Sequence, residues 1–219
     1  KKIGKSYNEF IKKTKFVLPL KNYYDSDNIY WVYYLMLSPN INSKRIEMRE
    51  RIKKKTNIDK INDLLDIGTT EDISAESSNI FCKKLDNILI HKSISNQKIT
   101  NKRFEASLEK SITSGFTDEI IEKFKSDLVI SSATIEHVGD FNNQVAKVKN
   151  MILLSKKYIV ISTPNRFYPI EFHTKLPFLH WLPQKVFRSA LLFLNMNYFA
   201  DEKNLNLLSK SDLKKILNI

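Results

Sequence analysis

The sequence of 219 residues contains a single cysteine and no apolar run long enough to cross a bilayer. One cysteine, Cys82, excludes an intramolecular disulfide framework and a multi-cysteine zinc site, and it is typical of a reducing compartment. The longest apolar runs, 29–37 and 190–196, fall short of the roughly 20 residues that a transmembrane helix needs. We also find no secretory signal with a cleavage site. We therefore expect a cytoplasmic protein.

Acidic residues are in short supply, because 36 lysine and arginine residues stand against 24 aspartate and glutamate residues. A net charge of +12 favours polyanionic partners such as nucleic acid or an anionic membrane. The lysines, however, are spread along the whole chain and accompany abundant asparagine and isoleucine, as AT-biased coding produces. We therefore do not expect a nucleic-acid partner, and a basic nucleic-acid-binding protein stays open only as an alternative.

Residues 1–58 are predicted to form a helical extension that packs beside the main domain. Segment 7–17 mixes apolar and basic residues at helical spacing, and segment 43–55 is predicted to be a charged helix with little apolar surface. A tyrosine-rich segment, 23–37, lies between them, and the following Ser38-Pro39 ends whatever element precedes it. A lid or a docking helix is an alternative use of this region.

From residue 61 onward, short apolar runs alternate with segments of helical length, which is the pattern of βαβ units and a parallel sheet. Continuous β-branched runs suit strands that are covered by helices on both faces. The sequence therefore predicts an α/β fold over 59–219, with a Rossmann-like, doubly wound, mainly parallel sheet. We predict strands at 64–68, 87–91, 128–132 and 158–162, helices at 77–85, 118–124 and 142–154, and leave open a short third strand within 103–112.

The last part of the chain begins at Pro164 with a loop rich in proline and aromatic residues. We assign 164–200 to a substrate-side loop and helix, with helices predicted at 185–195 and 210–217. A sheet of this type normally continues after its fifth strand. We therefore expect that C-terminal strands are missing from this sequence.

The first group of candidate site residues follows the first predicted strand, in Asp66-Ile-Gly-Thr-Thr. Ligands of doubly wound sheets bind at the carboxyl ends of the strands, and the turn after the first strand is the usual contact. Gly68 would let the backbone approach a ligand closely, and amides at the following helix N-terminus could hold a carboxylate. Asp66 could orient the loop or place a negative charge near a cation. An ordinary tight turn explains this short pattern equally well.

The second group lies at the end of strand 128–132, where small residues precede Glu136 and His137. Small side chains would leave room for a ligand, and His137 could act as a general base or a polar clamp. A purely structural role for this histidine stays open.

The third group lies within 162–183, where polar residues alternate with aromatic residues and prolines. This composition predicts a rigid loop over a cleft at the end of the fifth strand, where functional residues are expected. A hydrophobic plug would explain Phe178 but explains Arg166, Glu171 and His173 poorly.

Together, in this order and at this spacing, the three groups resemble class I S-adenosylmethionine-dependent methyltransferases. Leu65-Asp-Ile-Gly68 resembles the end of the first strand and the cofactor loop. Segment 127–138 resembles the fourth strand with its Ile-Glu-His-Val signature, and 158–165 resembles the fifth strand ending in Thr-Pro-Asn. The resemblance covers about 59–190. The loop from Thr163-Pro-Asn-Arg to His180-Trp-Leu-Pro resembles a bacterial subgroup that is mostly assigned to methyltransferases.

The resemblance implies an enzyme that transfers a methyl group from S-adenosyl-L-methionine to a small-molecule, lipid or saccharide acceptor, and its scheme requires no metal. The implied cofactor-binding residues are Asp66, Gly68, Thr69 and Thr70 at the amino acid end, with Ser132, Ala133 and Thr134 on the cleft floor. The implied bases are His137 and His173, and the implied acceptor-binding residues are Glu136, Asn165, Arg166, Glu171, His180 and Trp181. The apolar loop and helix could touch the inner face of a membrane weakly.

Two features depart from the family pattern. Thr69-Thr-Glu-Asp72 stands where the family loop carries glycines, and no acidic residue for the ribose hydroxyls is recognisable near His91-Lys-Ser93. The main alternative is therefore a protein that keeps the fold and binds a ligand but has lost turnover. The discriminating observation is whether the cofactor binds at all.

Overall fold

The computed structural model describes residues 16–19, 30–36, 41–56, 58–71, 85 and 88–217. The strands are β1 (Phe16–Pro19), β2 (Tyr30–Met36), β3 (Asp63–Ile67), β4 (Ile90–Ser95), β5 (Ala106–Glu109), β6 (Ser126–Ser132) and β7 (Ser155–Pro164). The α-helices are α1 (Ile41–Thr56), α2 (Asp118–Phe124), α3 (Phe141–Leu153), α4 (Gln184–Phe193), α5 (Asn197–Ala200) and α6 (Lys210–Leu217), with 3-10 turns at Ile58–Lys60, Ile135–His137 and Leu179–Trp181. None of the helices described is long and apolar enough to span a membrane.

These strands form one sheet in the order β1-β2-β7-β6-β3-β4-β5. Neighbouring strands from β2 to β5 are parallel, and β1 pairs antiparallel with β2 at the edge. Along the chain, β4 and β5 are added on one side of β3, and β6 and β7 are then added on its other side. This reversal creates a topological switch point between β3 and β6, where doubly wound proteins bind ligands. The predicted Rossmann-like α/β fold is confirmed.

The central strands are buried on both faces, because successive side chains of a strand point to opposite sides of the sheet. Leu65 and Val129 pack on one face with residues of α3 and α6, whereas Leu64 and Leu128 pack on the other with Ile52 of α1. All five of these side chains are fully buried. Each contributes about 1.5–3 kcal/mol when it leaves water, so the apolar strand runs read from the sequence hold the sheet between its two helical layers.

Polar caps determine where two helices at the carboxyl edge of the sheet begin. At the start of α3, Asn143 N donates a hydrogen bond to Asp140 Oδ1 at 2.9 Å. Before α6, Ser209 N donates to the Asp212 carboxylate at 2.9 Å, and Asp212 N donates to Ser209 Oγ at 3.2 Å. A cap of this kind stabilises a helix by about 1 kcal/mol. The first cap matters for function, because Asn143 and Lys147 of α3 line a cavity at this edge of the sheet.

The prediction of a helical extension over 1–58 is correct for α1 and wrong for β1 and β2. The predicted helix at 7–17 lies outside the described residues except for its last two, which belong to β1. β2 runs parallel to β7, from the pair Tyr30 and Tyr158 to the pair Met36 and Pro164. Its sequence, Tyr-Trp-Val-Tyr-Tyr-Leu-Met, is rich in aromatic residues, which favour strands. The composition therefore indicates a strand, but its partner lies over a hundred residues away, so no local pattern reveals the pairing. The sheet continues past β7 through these N-terminal strands.

In the main domain, the predicted and observed elements differ chiefly at β4. We predicted this strand at 87–91, but it spans Ile90–Ser95. The apolar triplet that ends at Ile90 was misleading, because Leu89 is 91% exposed. The undecided segment 103–112 contains β5. The predicted helix at 77–85 lies outside the described residues except for its last residue.

Candidate functional site

A cavity of about 750 Å³ lies at the carboxyl edge of the sheet, beside the switch point. Sites for small molecules commonly measure about 300–1,000 Å³, so this cavity is large enough for a cofactor-sized ligand. Its wall combines the loops after β3, β4, β5 and β6 with the first turns of α3 and segment 201–203. Of the residues predicted for the site, the wall contains Gly68, Thr69, Thr70, Ala133, Thr134 and His137.

The loop after β3 is anchored by a hydrogen bond to the carboxylate of Asp66. Thr69 Oγ1 donates to the Asp66 carboxylate at 3.0 Å, and Ser95 Oγ donates to the carbonyl oxygen of Thr69 at 2.7 Å. Asp66 itself is 4% exposed and does not belong to the cavity wall. It therefore orients the loop, which is one of the two roles expected for it.

Gly68 adopts a backbone conformation that only glycine tolerates well, with φ of +85°. A Cβ built there would overlap Thr134 Cγ2 and lie 2.9 Å from Thr134 Cβ. The missing side chain therefore lets the loop after β3 touch the loop after β6. Gly68 also belongs to the cavity wall, and its close approach to a ligand stays a prediction.

The end of β4 presents amides to the cavity. Because β4 ends at Ser95, the residues at its carboxyl end are Ser95, Asn96 and Gln97, and all three contribute to the wall. Asn96 and Gln97 are exposed to solvent. No carboxylate stands among them, so the sequence-based observation of a missing acid holds at the corrected strand end. Two side-chain amides offer donors and acceptors in its place.

The loop after β6 is tightly bonded and locally strained. Ala133 has a φ of +50°, an unusual conformation for a residue with a side chain. Its N–H donates to the carbonyl oxygen of Ser162 at 2.8 Å, and Thr134 Oγ1 bonds Ser131 Oγ at 2.6 Å. Ser132, which was expected on the cleft floor, is buried against Ser162 behind the wall. The strain at Ala133 therefore coincides with the cavity.

Lys147 is a residue of the cavity wall that sequence reasoning missed. It is fully buried, and its Nζ donates to Thr134 Oγ1. Burial lowers the pKa of this amine to about 7, although the negative charges of Glu136 and Asp66 act in the opposite direction. The available signal was its position on α3, because Lys147 lies on the helix face that also buries Gln144, Val148 and Met151. A lysine in a buried helix stripe is expensive unless it has a ligand or a partner.

The two predicted bases, His137 and His173, lie side by side although 36 positions separate them. Their ring centroids are 4.9 Å apart, with an interplanar angle of 89°. His137 Nδ1 lies 2.6 Å from the carbonyl oxygen of Asn204, and His173 Nδ1 lies 2.7 Å from Glu171 Oε1. Both acceptors require a proton on Nδ1, so each neutral ring carries its lone pair on Nε2. Both histidines are thereby prepared to accept a proton.

Glu171 organises the turn that carries His173. Its carboxylate accepts hydrogen bonds from the N–H groups of His173 at 2.9 Å and Thr174 at 2.5 Å, besides the bond from the His173 ring. Burial acts to raise the pKa of Glu171, but these hydrogen bonds outweigh it and bring the pKa to about 2. Glu171 therefore orients His173 and lies outside the cavity wall.

Glu136 is fully buried beside these histidines. Its Oε2 accepts a hydrogen bond from Thr163 Oγ1 at 2.9 Å. Its Oε1 is buried and has no hydrogen-bond partner among the described residues. A buried carboxylate oxygen of this kind is rare in a folded protein and calls for a functional explanation.

The remaining residues predicted to bind the acceptor hold the loop after β7 together. Arg166 Nη2 donates to the carbonyl oxygen of Leu182 at 2.8 Å, and His180 Nε2 and Trp181 Nε1 both bond the carbonyl oxygen of Tyr168, at 2.6 and 3.1 Å. Asn165 Oδ1 accepts from Phe167 N at 3.1 Å. None of these four residues belongs to the cavity wall. Their role as acceptor ligands stays a prediction.

Comparisons with known proteins give a partial likeness in fold. No family model and no curated protein matches the sequence. The N-methyltransferase NodS from Bradyrhizobium japonicum WM9, in complex with S-adenosyl-L-homocysteine, has a TM-score of 0.41 and 12% identity over 54% of this chain and 60% of that chain. A cyclopropane-fatty-acyl-phospholipid synthase-like protein from Lactobacillus casei ATCC 334 has a TM-score of 0.46 and 12% identity over 84% and 71%. Likenesses of this size do not assign a function.

Proposed function

We propose that this protein is an S-adenosylmethionine-dependent methyltransferase that acts on a small-molecule, lipid or saccharide acceptor. The observation that carries the proposal is the cavity of about 750 Å³ beside the switch point of the sheet. The loops after β3 and β6 both contribute to it, and they belong to two of the three segments whose sequence resembles the family. Two predicted proton acceptors lie at its margin, since His137 belongs to the wall and contacts His173.

The residues present fit such a cofactor. Lys147 supplies a buried amine close to the loop of Gly68 and Thr69. The carboxylate of the methionine part would favour the protonated, positively charged form of this amine. Asn96 and Gln97 stand where ribose hydroxyls would be bound, because they follow the strand next to β3. The amides take the place of the usual acid, since they also offer both donors and acceptors. When bound, the cofactor would supply an electrophilic methyl group.

In this reaction the protein has to position the two reactants and remove a proton from the acceptor. Holding two reactants in line can supply about 7–11 kcal/mol of a reaction barrier. His137 Nε2 would accept the proton that an acceptor hydroxyl or amine loses, while its Nδ1 stays anchored to Asn204. His173 fixes the ring of His137 from the side, and Glu171 in turn fixes His173.

The proposal is tested by calorimetric titration of the purified chain with S-adenosylmethionine and S-adenosylhomocysteine. We expect micromolar binding, a loss of at least tenfold in Lys147→Met, and a smaller loss in Asn96→Ala. Lys149→Met is the matched control, because Lys149 lies on the same helix but is exposed and outside the wall. Its affinity should equal that of the unchanged protein.

Turnover separates the enzyme from its main alternative. Purified protein with radiolabelled S-adenosylmethionine would be incubated with separate lipid, saccharide and small-metabolite fractions, and label transfer would be measured in each. Cofactor binding without transfer to any fraction would support a binding protein that has lost turnover. Absence of binding by both cofactor forms would refute the methyltransferase proposal.

A further inference from the structure

We infer that Glu136, His137 and His173 form a binding site for one divalent transition-metal ion. Each residue offers one ligand atom, and the three atoms lie within 4.8 Å of one another. Metal bonds of about 2.0–2.2 Å hold neighbouring ligands roughly 3–4 Å apart. Closing the three atoms around an ion therefore requires shifts of about an ångström or less, which side-chain rotations provide.

The histidine rings are already in the tautomer that binds a metal. Hydrogen bonds from Nδ1 to the carbonyl oxygen of Asn204 and to the carboxylate of Glu171 leave the lone pairs on Nε2. Metal-bound histidines commonly use this arrangement, in which a carbonyl or a carboxylate orients the ring from its far side. Asn204 and Glu171 therefore orient the two rings in the same way as the outer hydrogen-bond partners of known metal centres.

The unpartnered oxygen of Glu136 supplies the third ligand. Oε1 is buried without a hydrogen bond from the described residues, whereas Oε2 is bonded to Thr163 at 2.9 Å. A buried carboxylate oxygen loses its water and must be compensated by a donor or a cation. An ion bound between Glu136 and the two histidines provides that compensation.

The ligand set selects the kind of ion. Two imidazoles and one carboxylate, without a thiolate, suit zinc, manganese or ferrous iron rather than calcium or cuprous copper. Three protein ligands also leave coordination positions open. Because His137 is exposed and belongs to the cavity wall, an open position faces the cavity, where the ion would lower the pKa of a bound hydroxyl. This inference departs from the expectation that the site needs no metal, and it replaces His137 as the base, because an Nε2 lone pair bound to the ion cannot accept a proton. The metal site does not depend on the proposed methyl transfer.

The experiment is a titration of chelator-treated protein with Zn²⁺ by calorimetry and with Co²⁺ by visible absorption. We expect one ion per chain and a d–d absorption band with Co²⁺. His137→Asn and His173→Asn remove Nε2 while keeping an N–H where Nδ1 donates, and Glu136→Gln removes the negative charge while keeping an acceptor for Thr163. Each of the three substitutions should weaken binding at least tenfold.

Matched controls use the same residue types outside the cluster. His180→Gln keeps the donor to the carbonyl oxygen of Tyr168, and Glu202→Gln changes an exposed carboxylate of the cavity wall. Both should bind the ion like the unchanged protein. The thermal midpoint of each variant without metal checks that it folds, and an added ion should raise the midpoint of the unchanged protein and of the controls.

The outcomes are distinct. Failure of the unchanged protein to bind either ion would overturn the metal site while leaving methyl transfer open. Binding that survives all three substitutions would place the ion elsewhere and would also overturn the inference. If a variant does not fold, the Co²⁺ spectrum of the unchanged protein still decides, because nitrogen ligands shift and intensify the band relative to aqueous Co²⁺.

Discussion

Buried charged groups are fully paired at the amino end of the parallel strands and incompletely paired at the carboxyl end. At the amino end, Asp63 of β3 accepts from Asp127 N at 2.7 Å and pairs with Lys156 at 3.0 Å and Lys92 at 3.3 Å. Asp127 is bonded to Asn62 N and to Lys157, both at 3.0 Å. These carboxylates are satisfied by the protein, so this end serves stability.

At the carboxyl end, buried polar groups have incomplete partners or, in the case of Lys147, a pKa that burial shifts toward the neutral form. Glu136 Oε1 has no hydrogen-bond partner among the described residues, Lys147 has a pKa of about 7, and Ala133 adopts a positive φ. Strain and unmet polar groups persist only where something else favours them, and ligand sites are the usual reason. The contrast teaches that one sheet separates the stabilising chemistry from the ligand chemistry.

Breaking the amino end should have the largest effect on stability. Asp63→Ala leaves Lys92 and the N–H of Asp127 without their carboxylate, and we expect a loss of about 3 kcal/mol in the free energy of unfolding. Urea denaturation at pH 7 measures it. The exposed Asp59→Ala should change the value by less than about 0.5 kcal/mol. Equal effects of the two substitutions would contradict the contrast between the ends.

Gly68→Ala should cause the next largest loss in the free energy of unfolding. The new Cβ would overlap Thr134, and the backbone at φ +85° is unfavourable for alanine, so we expect a loss of about 2–3 kcal/mol. Gly115→Ala is the matched control, because no atom lies within 4 Å of the Cβ position there. The same urea series measures both variants. A Gly68→Ala protein as stable as the Gly115→Ala protein would show that the two loops do not touch.

The pH dependence of stability sharpens the contrast through Lys147. Its pKa falls from 10.5 to about 7 on folding, so the unfolded chain binds more protons between these values and stability rises with pH there. Between pH 7 and pH 9 we expect this lysine alone to add about 2 kcal/mol to the free energy of unfolding. The Lys147→Met protein should lack this increment, whereas Lys149→Met should retain it. An identical rise in all three proteins would mean that Lys147 is not the group responsible.

The smallest effect on stability is expected for substitutions on the exposed apolar surface of α4 and α5. Phe193 on α4 is 86% exposed and Tyr198 is 64% exposed, so they contribute little to the core. Phe193→Ser should change the free energy of unfolding by less than about 0.5 kcal/mol. If this surface touches a membrane, the same substitution should reduce co-sedimentation with anionic lipid vesicles severalfold. Unchanged co-sedimentation would exclude Phe193 from such a contact.

The main elements of the domain could be predicted because their signals are local. The runs that became β3, β6 and β7 are apolar enough to be buried on both faces, and α2, α3 and α6 lie close to the predicted helices. β4 was misplaced because the triplet ending at Ile90 is more apolar than β4 itself, and only packing leaves Leu89 exposed. The strands β1 and β2 were missed because β2 pairs with the distant β7, and β1 in turn pairs with β2.

In the candidate site, too, some features could be predicted from the local sequence and others depend on the fold. The loops after β3 and β6 were predicted from residues close together in sequence, and the pairing of Gly68 with Thr134 then depended on the register of two strands. Arg166, His180 and Trp181 drew attention by their chemistry, but the structure uses them to bond carbonyl oxygens within one loop. Polar side chains in a loop look alike in sequence whether they bind a ligand or the backbone.

By itself, the sequence determined the alternation of strands and helices and the placing of small and polar residues after β3 and β6, because these depend on hydrophobic periodicity and backbone propensity. Only the tertiary structure decided that His137 meets His173, that Glu136 keeps an oxygen without a partner among the described residues, and that Lys147 is buried against Thr134. These contacts join distant parts of the chain. Burial and hydrogen bonding set the chemistry of a side chain, and both are properties of the folded molecule.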